Sequence, residues 1–174
     1  MINFSSGLIC LLGALAALGA AAIDMYLPSL PSIESELGGV GGSAQFTLSS
    51  FFIGLGLGQL FYGPISDSLG RRKVLVVGLL IYCLGSLFCF FAGTMMELVA
   101  ARFFQALGAA AGGVIARAMV RDVFTGKKAA QAQSFINLAF SFTPLMAPLF
   151  GGYLLIFFGW RSIFLALLLF GIIC

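Results

Sequence analysis

The sequence predicts an all-α membrane protein, a six-helix bundle immersed in lipid, and three observations carry that prediction. Of 174 residues, 61% are hydrophobic and only 9% charged, with a mean hydropathy of +1.12. A soluble domain is nearer half apolar and a quarter charged. The apolar residues gather into runs of roughly 20, the length that crosses a bilayer core at 1.5 Å per residue. Backbone polar groups in hydrocarbon must be satisfied within their own segment, so such runs form helices.

The first run, 8–27, could be mistaken for a secretory leader. No Lys or Arg precedes Arg71, and the run is longer than a usual leader core, so it reads as a first span. Further runs follow at 46–65, 74–92, 98–120 and 134–157. The sixth, 162–174, holds only 13 residues and has no interfacial anchor beyond it, so a sixth helix cut short is expected.

Orientation comes from the connections. Those on the amino-terminal side carry Arg71, Arg72, Lys73, Arg121, Lys127 and Lys128, whereas the opposite ones carry Arg161 with Glu34, Glu36 and Glu97. Lys and Arg stay on the cytoplasmic side, which places the amino terminus in the cytoplasm and the chain in the cell inner membrane. Trp160 and Arg161 read as an outer interfacial anchor. Gly13 with Ala17 and Ala21, Gly54 with Gly58, and Gly108 with Gly112 have the small-residue spacing of close helix contacts. The second and fifth runs both carry proline in or near their second half and lead through Gly70-Arg71 or Gly159-Trp160-Arg161 into a further run. This is the trace of a three-plus-three inverted repeat.

Composition also limits the chemistry. There is no histidine, the commonest general acid/base and metal ligand. Cys10, Cys83, Cys89 and Cys174 lie in apolar runs without ligand spacing and read as buried small hydrophobes. With no nucleophile beside a base and no metal cluster, a membrane enzyme is disfavoured, and no metal, cofactor or nucleic-acid partner is expected.

Three constellations remain. Gly63-Pro64-Ile65-Ser66-Asp67-Ser68-Leu69-Gly70-Arg71-Arg72-Lys73 joins the second and third spans; here Gly63 and Pro64 are expected to end a helix and Gly70 to permit a tight turn. The fourth span runs from Glu97 to Asp122 and carries Arg102, Gln105, Gly108 and the stretch Ala116-Arg117-Ala118-Met119-Val120-Arg121-Asp122. The fifth holds Thr143-Pro144-Leu145-Met146-Ala147-Pro148-Leu149-Phe150-Gly151-Gly152, where prolines and glycines loosen a helix.

Together these resemble the major facilitator superfamily, and the resemblance covers nearly the whole chain. The first is similar to the family's cytoplasmic loop motif, with Ser68 where a basic residue is usual. The third resembles the Gly-Pro-x-x-Gly-Gly motif of its exporters, with Ala147 in place of the first glycine. Asp24-Met25-Tyr26-Leu27-Pro28-Ser29-Leu30-Pro31 and the Ala116–Asp122 stretch resemble its bicyclomycin-resistance (Bcr/CflA) branch of drug:proton antiporters.

The resemblance implies an amino-terminal six-helix half, residues 1–174, of a twelve-helix exporter. It would exchange drugs or small amphipathic metabolites for protons by alternating access. Its partners would be the lipid bilayer, a small-molecule substrate, protons, and a missing carboxy-terminal half or a second copy. A non-transporting fragment or split subunit is the alternative. Gly63, Asp67, Gly70, Arg71, Arg72, Arg121, Asp122, Pro144, Pro148, Gly151 and Gly152 are the expected gating positions, with Asp67 clustering on Arg71 and the end of the fourth span. Tyr26, Gln105 and Asn137 are the candidate substrate-cavity residues.

Asp24 and Arg102 sit at matching depth, each roughly 5 to 6 Å inside the outer membrane surface at 1.5 Å per residue, and are expected to pair as the proton-coupling site. The alternatives are an Asp24 that caps its helix or faces headgroups, and an Arg102 that snorkels to the interface.

Overall fold

A computed structural model describes residues 4–39 and 41–174; of the domain assigned to 1–174, residues 1–3 and 40 lie outside it. Helix α1 (Phe4–Asp24) leads through a 3-10 turn (Leu27–Ser29) to the short α2 (Leu30–Glu36). Then come α3 (Gln45–Leu69), α4 (Arg71–Phe91), α5 (Met95–Val123), α6 (Gly126–Phe158) and α7 (Arg161–Ile173). There is no strand among the described residues. Five segments are long and apolar enough to cross a membrane, and α7 is a shorter apolar helix of 13 residues.

The helices overrun the apolar stretches. Helix α6 begins eight residues before 134, through Lys127, Lys128, Gln131 and Gln133. Hydropathy marks only the lipid-immersed part, whereas intrahelical hydrogen bonds continue into the headgroup region and beyond. Two expectations are corrected. Gly63 and Pro64 do not end a helix: α3 runs through both to Leu69, and the chain turns at Gly70, whose φ of 91° suits glycine. Proline forfeits a single backbone bond, which a membrane helix tolerates. Helix α6 is likewise continuous across Pro144 and Pro148. The first helix, in contrast, stops at Asp24 and not at Leu27. The Tyr26 amide bonds the Ile23 carbonyl at 3.2 Å, and Pro28 has no amide hydrogen with which to continue.

Helix α5 is the centre of the bundle, and small residues put it there. A Cβ on Gly54 of α3 would lie 2.6 Å from the Phe103 carbonyl oxygen, one on Gly85 of α4 2.5 Å from the Gln105 nitrogen, and one on Gly112 2.6 Å from the Leu15 carbonyl oxygen of α1. In lipid, where no hydrophobic force drives helices together, such backbone approach is the source of packing energy. Helix α3 lies along α5 and α6 along α1, while α4 packs on α5 and also on α7. The α3–α5 and α1–α6 pairings exchange when the first three membrane helices are swapped with the last three, and α4–α7 maps onto itself, as in an inverted repeat.

The end of the bundle where α2 meets the start of α7 is tied by side chains. Trp160 is buried, not spread on the interface: its indole donates to Glu36 at 2.7 Å, and Arg161 pairs with Glu36 and donates to the Ala92 carbonyl at 3.2 Å. Cys89 is buried as expected, but Cys10 faces outward and Cys83 and Cys174 are half-buried. Large side chains such as Leu60, Phe88 and Ile156 are exposed, as lipid-facing positions are.

Candidate functional site

A cavity of about 380 Å³ opens between α1, α3, α5 and α6. Ala16, Gly19, Ala20 and Ile23 of α1, with Ala109, Ala110 and Gly113 of α5, give it small or apolar walls; Phe52, Leu55 and Phe140 add bulk. Its polar groups are Asp24, Gln59 and Arg117, and Pro144 lies at its α6 side. A second cavity of about 410 Å³ shares Ala16, Arg117 and Phe140 and adds Gln133, Ile136 and Asn137. Neither is lined by α4 or α7.

Asp24 therefore faces the cavity, and among the described residues it makes no ion pair. Arg102 does not join it. Arg102 is 0% exposed, and both terminal guanidinium nitrogens donate to the Ala22 carbonyl at 3.1 Å; one also donates to the Gln105 side-chain oxygen at 2.7 Å. Its carbon lies 4.3 Å from the centre of the Tyr26 ring and 4.2 Å from that of Phe51, within cation–π range. Asp24 and Arg102 thus form no ion pair among the described residues. Arg102 is drawn to a main-chain oxygen at the carboxyl end of α1, inside the bundle, whereas the Asp24 side chain lines the cavity, which neither Ala22 nor Arg102 lines.

The local sequence explains the contact. Because Met25 bonds the Ala21 carbonyl at 3.0 Å and Tyr26 that of Ile23, the Ala22 carbonyl loses its helical donor. A cation at a helix carboxyl end satisfies such an orphan oxygen and complements the helix dipole. Snorkelling to the interface is ruled out by the side chain's complete burial.

Two of the three candidate cavity residues lie elsewhere. Tyr26 is 0% exposed, its hydroxyl 2.7 Å from that of Thr47, and Gln105 is 0% exposed and donates to Ser86 at 2.8 Å; both serve the Arg102 cluster. Only Asn137 reaches a cavity, where Gln133 donates to it at 3.1 Å. Sequence reasoning gave no role to Arg117, Gln59 and Gln133. Ala109, Ala110, Gly113 and Arg117 recur at the three-to-four-residue spacing of one helix face, which is the readable signal.

At the end of the bundle where α3 and α5 finish, Arg71 is the hub. It pairs with Asp67 at 2.5 Å and Asp122 at 3.0 Å, and donates to Ser66 at 2.5 Å. The Gly70 turn brings it there from the start of α4, linking the ends of α3 and α5. Arg72 and Arg121 are exposed and make no ion pair among the described residues. In α6, a Cβ on Gly151 would meet the Met25 backbone, with Cα at 2.8 Å, whereas one on Gly152 would meet nothing within 4 Å. Pro148 is half-buried and Pro144 lines the cavity. Gly63 is half-buried within α3, and a Cβ there would meet nothing within 4 Å.

The profile of the Major Facilitator Superfamily matches residues 9–174. The chain is similar to the uncharacterized MFS-type transporter YdgK of Bacillus subtilis, 44% identical over 92% of this chain and 40% of that protein. It is 36% identical to Multidrug resistance protein D of Escherichia coli over 92% of this chain and 41% of the relative. It is 37% identical to the bicyclomycin resistance protein homolog of Haemophilus influenzae over 93% and 41%. The chain thus spans about two fifths of the length of these relatives, and its match lies in their amino-terminal half. With apolar helices of spanning length, a small-residue core and a family match over nearly all of its length, this multi-pass membrane chain belongs to the Major Facilitator Superfamily.

Proposed function

We propose that the chain forms the amino-terminal half of an exporter that exchanges drugs or small amphipathic metabolites for protons by alternating access. It would lie in the cell inner membrane with its amino terminus cytoplasmic. The observation that carries this reading is Asp24, a carboxyl group beside a helix break that opens onto the cavity without a paired cation. Low-dielectric surroundings disfavour a carboxylate and hydration favours it, so a change of access moves a proton on or off such a group. A substrate bearing a cation or a hydrogen-bond donor then competes with the proton for the same oxygens. The multidrug and bicyclomycin relatives support the substrate class, and the basic residues gathered on one side support the orientation.

The cavity helices of this half require a partner half, a carboxy-terminal six-helix unit or a second copy, to close a path for substrate. A split subunit that acts only once that partner is supplied is the second reading. The test is made in the assembled transporter, in everted vesicles. Asp24→Asn is expected to abolish proton-driven efflux while retaining some substrate binding. Normal efflux down a proton gradient by that variant would place coupling elsewhere.

A further inference from the structure

Arg117 lies three residues inside the end of the fourth apolar run, and its side chain is exposed where it lines the cavity. Arg102 is enclosed by a carbonyl, an amide and aromatic faces, whereas Arg117 makes neither an ion pair nor a side-chain hydrogen bond among the described residues, although it lines both cavities. Cations inside a membrane face a bundle interior or a water-filled cavity and mark ligand paths.

Its surroundings select the ligand. One terminal nitrogen lies 3.5 Å from where a Cβ on Gly113 would sit, so the side chain reaches back along α5 toward the outer side, as helical side chains tilt. Gln133 donates its amide to the Asn137 side-chain oxygen, so the Asn137 amide hydrogens, with no partner among the described residues, are available to a ligand in the cavity that both residues line. A guanidinium beside amide donors forms an acceptor-binding subsite, suited to a carboxylate or sulfonate.

Gly112 packs on the Leu15 carbonyl and the guanidinium lies beside Gly113, so this subsite is level with Ala16, which lines both cavities. Asp24 is eight residues further along α1, about 12 Å at 1.5 Å per residue. The cavity walls are otherwise mainly apolar, with Ile23, Phe52, Leu55 and Phe140, and Gln59 adds a neutral polar side chain.

We propose that Arg117, with Gln133 and Asn137, binds the anionic group of an amphipathic zwitterion whose cationic group lies at Asp24. The proposal rests on the proton-coupled reading of Asp24 and adds the substrate class. Competition with the proton occurs at one end of the molecule; anchoring occurs at the other.

The probes are a rigid biphenyl amino acid of matching length, with an aminomethyl group at one end and a carboxylate at the other, and its methyl ester, which keeps only the cation. Binding is measured to the assembled transporter in nanodiscs, and efflux in vesicles. The zwitterion is expected to bind at least tenfold more tightly than the ester. Arg117→Gln is expected to erase that difference without weakening the ester, and Arg117→Lys to restore much of it. Asn137→Asp, which sets a carboxylate in the subsite, gives the same selective loss and decides the matter if Arg117→Gln fails to insert. Equal binding of the two probes, or an equal loss of both in Arg117→Gln, overturns the proposal. Efflux of the ester depends on Asp24 alone, so its survival in Asp24→Asn would sink the coupling reading while leaving the Arg117 result to stand or fall separately.

Discussion

Replacing Arg102 with methionine keeps the stem of the side chain and removes everything its guanidinium does. The Ala22 carbonyl and the Gln105 side-chain oxygen lose their donor in a buried site. Each stranded acceptor costs about 1–3 kcal/mol. Contact with the Tyr26 and Phe51 rings contributes a further ~1–2 kcal/mol in a desolvated setting. Against these losses stands the relief of no longer burying a charge, an effective gain of several kcal/mol. The net destabilisation is therefore expected to be only about 2–3 kcal/mol, read by steric trapping in bicelles.

The double-mutant cycle with Asp24→Asn is the sharper measurement. Arg102 is spent on a carbonyl and two rings while Asp24 looks into the cavity, so the two changes should add to within about 0.5 kcal/mol. A true buried ion pair would instead show a coupling of about 1.5 kcal/mol or more. A coupling of that size would refute the placement of Asp24 in the cavity and Arg102 outside it.

Asp67→Asn should reduce efflux severalfold in the assembled transporter, yet cost less than about 1 kcal/mol of stability, because its partner Arg71 is shared with Asp122 and the Asp67 side chain is 62% exposed. Unchanged efflux at normal expression would show that the cluster is only a solvated turn. Gly151→Ala places a methyl against the Met25 backbone and is expected to destabilise by about 1–3 kcal/mol, whereas Gly152→Ala, whose methyl would meet nothing within 4 Å, should be neutral or stabilising by up to ~1 kcal/mol. Equal melting temperatures for the two variants would contradict the packing of α6 on the end of α1. In a cysteine-free background, Gly41→Cys should react with an impermeant maleimide in intact cells and Thr125→Cys should not; the reverse pattern would invert the topology.

Depth was legible in the sequence and direction was not. Hydropathy located the five helices that are long and apolar enough to cross a membrane and the shorter α7, and counting residues from each end put Asp24 and Arg102 at one level. Which way each points depends on where α1 stops. That is set by competition among the Ala21, Ala22 and Ile23 carbonyls for the amides of Met25 and Tyr26. No hydropathy pattern reports that competition. Tyr26 and Gln105 were misplaced for the same reason: a polar side chain in a span must be satisfied, but a cavity and a buried arginine satisfy it equally well. The Asp67–Arg71–Asp122 cluster was readable because its members leave the membrane on one side and bear opposite charges. Pro64 misled because a proline that would break a soluble helix costs one bond in a helix already committed by lipid.

The broken end of α1 also explains why three separated motifs occur together. Arg102 on α5 holds the Ala22 carbonyl from one side, and Gly151 on α6 lies against the Met25 backbone from another. Asp24 sits between these two attachments and is the one acidic side chain that lines the cavity. Moving α5 against α6 must shift the end of α1 unless one of the contacts breaks, since neither a bidentate hydrogen bond nor a glycine–backbone contact stretches far. The glycine of α6 and the arginine of α5 thus act on Asp24 through the main chain and not through charge. On this view, Arg102 positions the carboxyl group by fixing the helix that carries it, and any motion that changes access to the cavity also changes what surrounds Asp24.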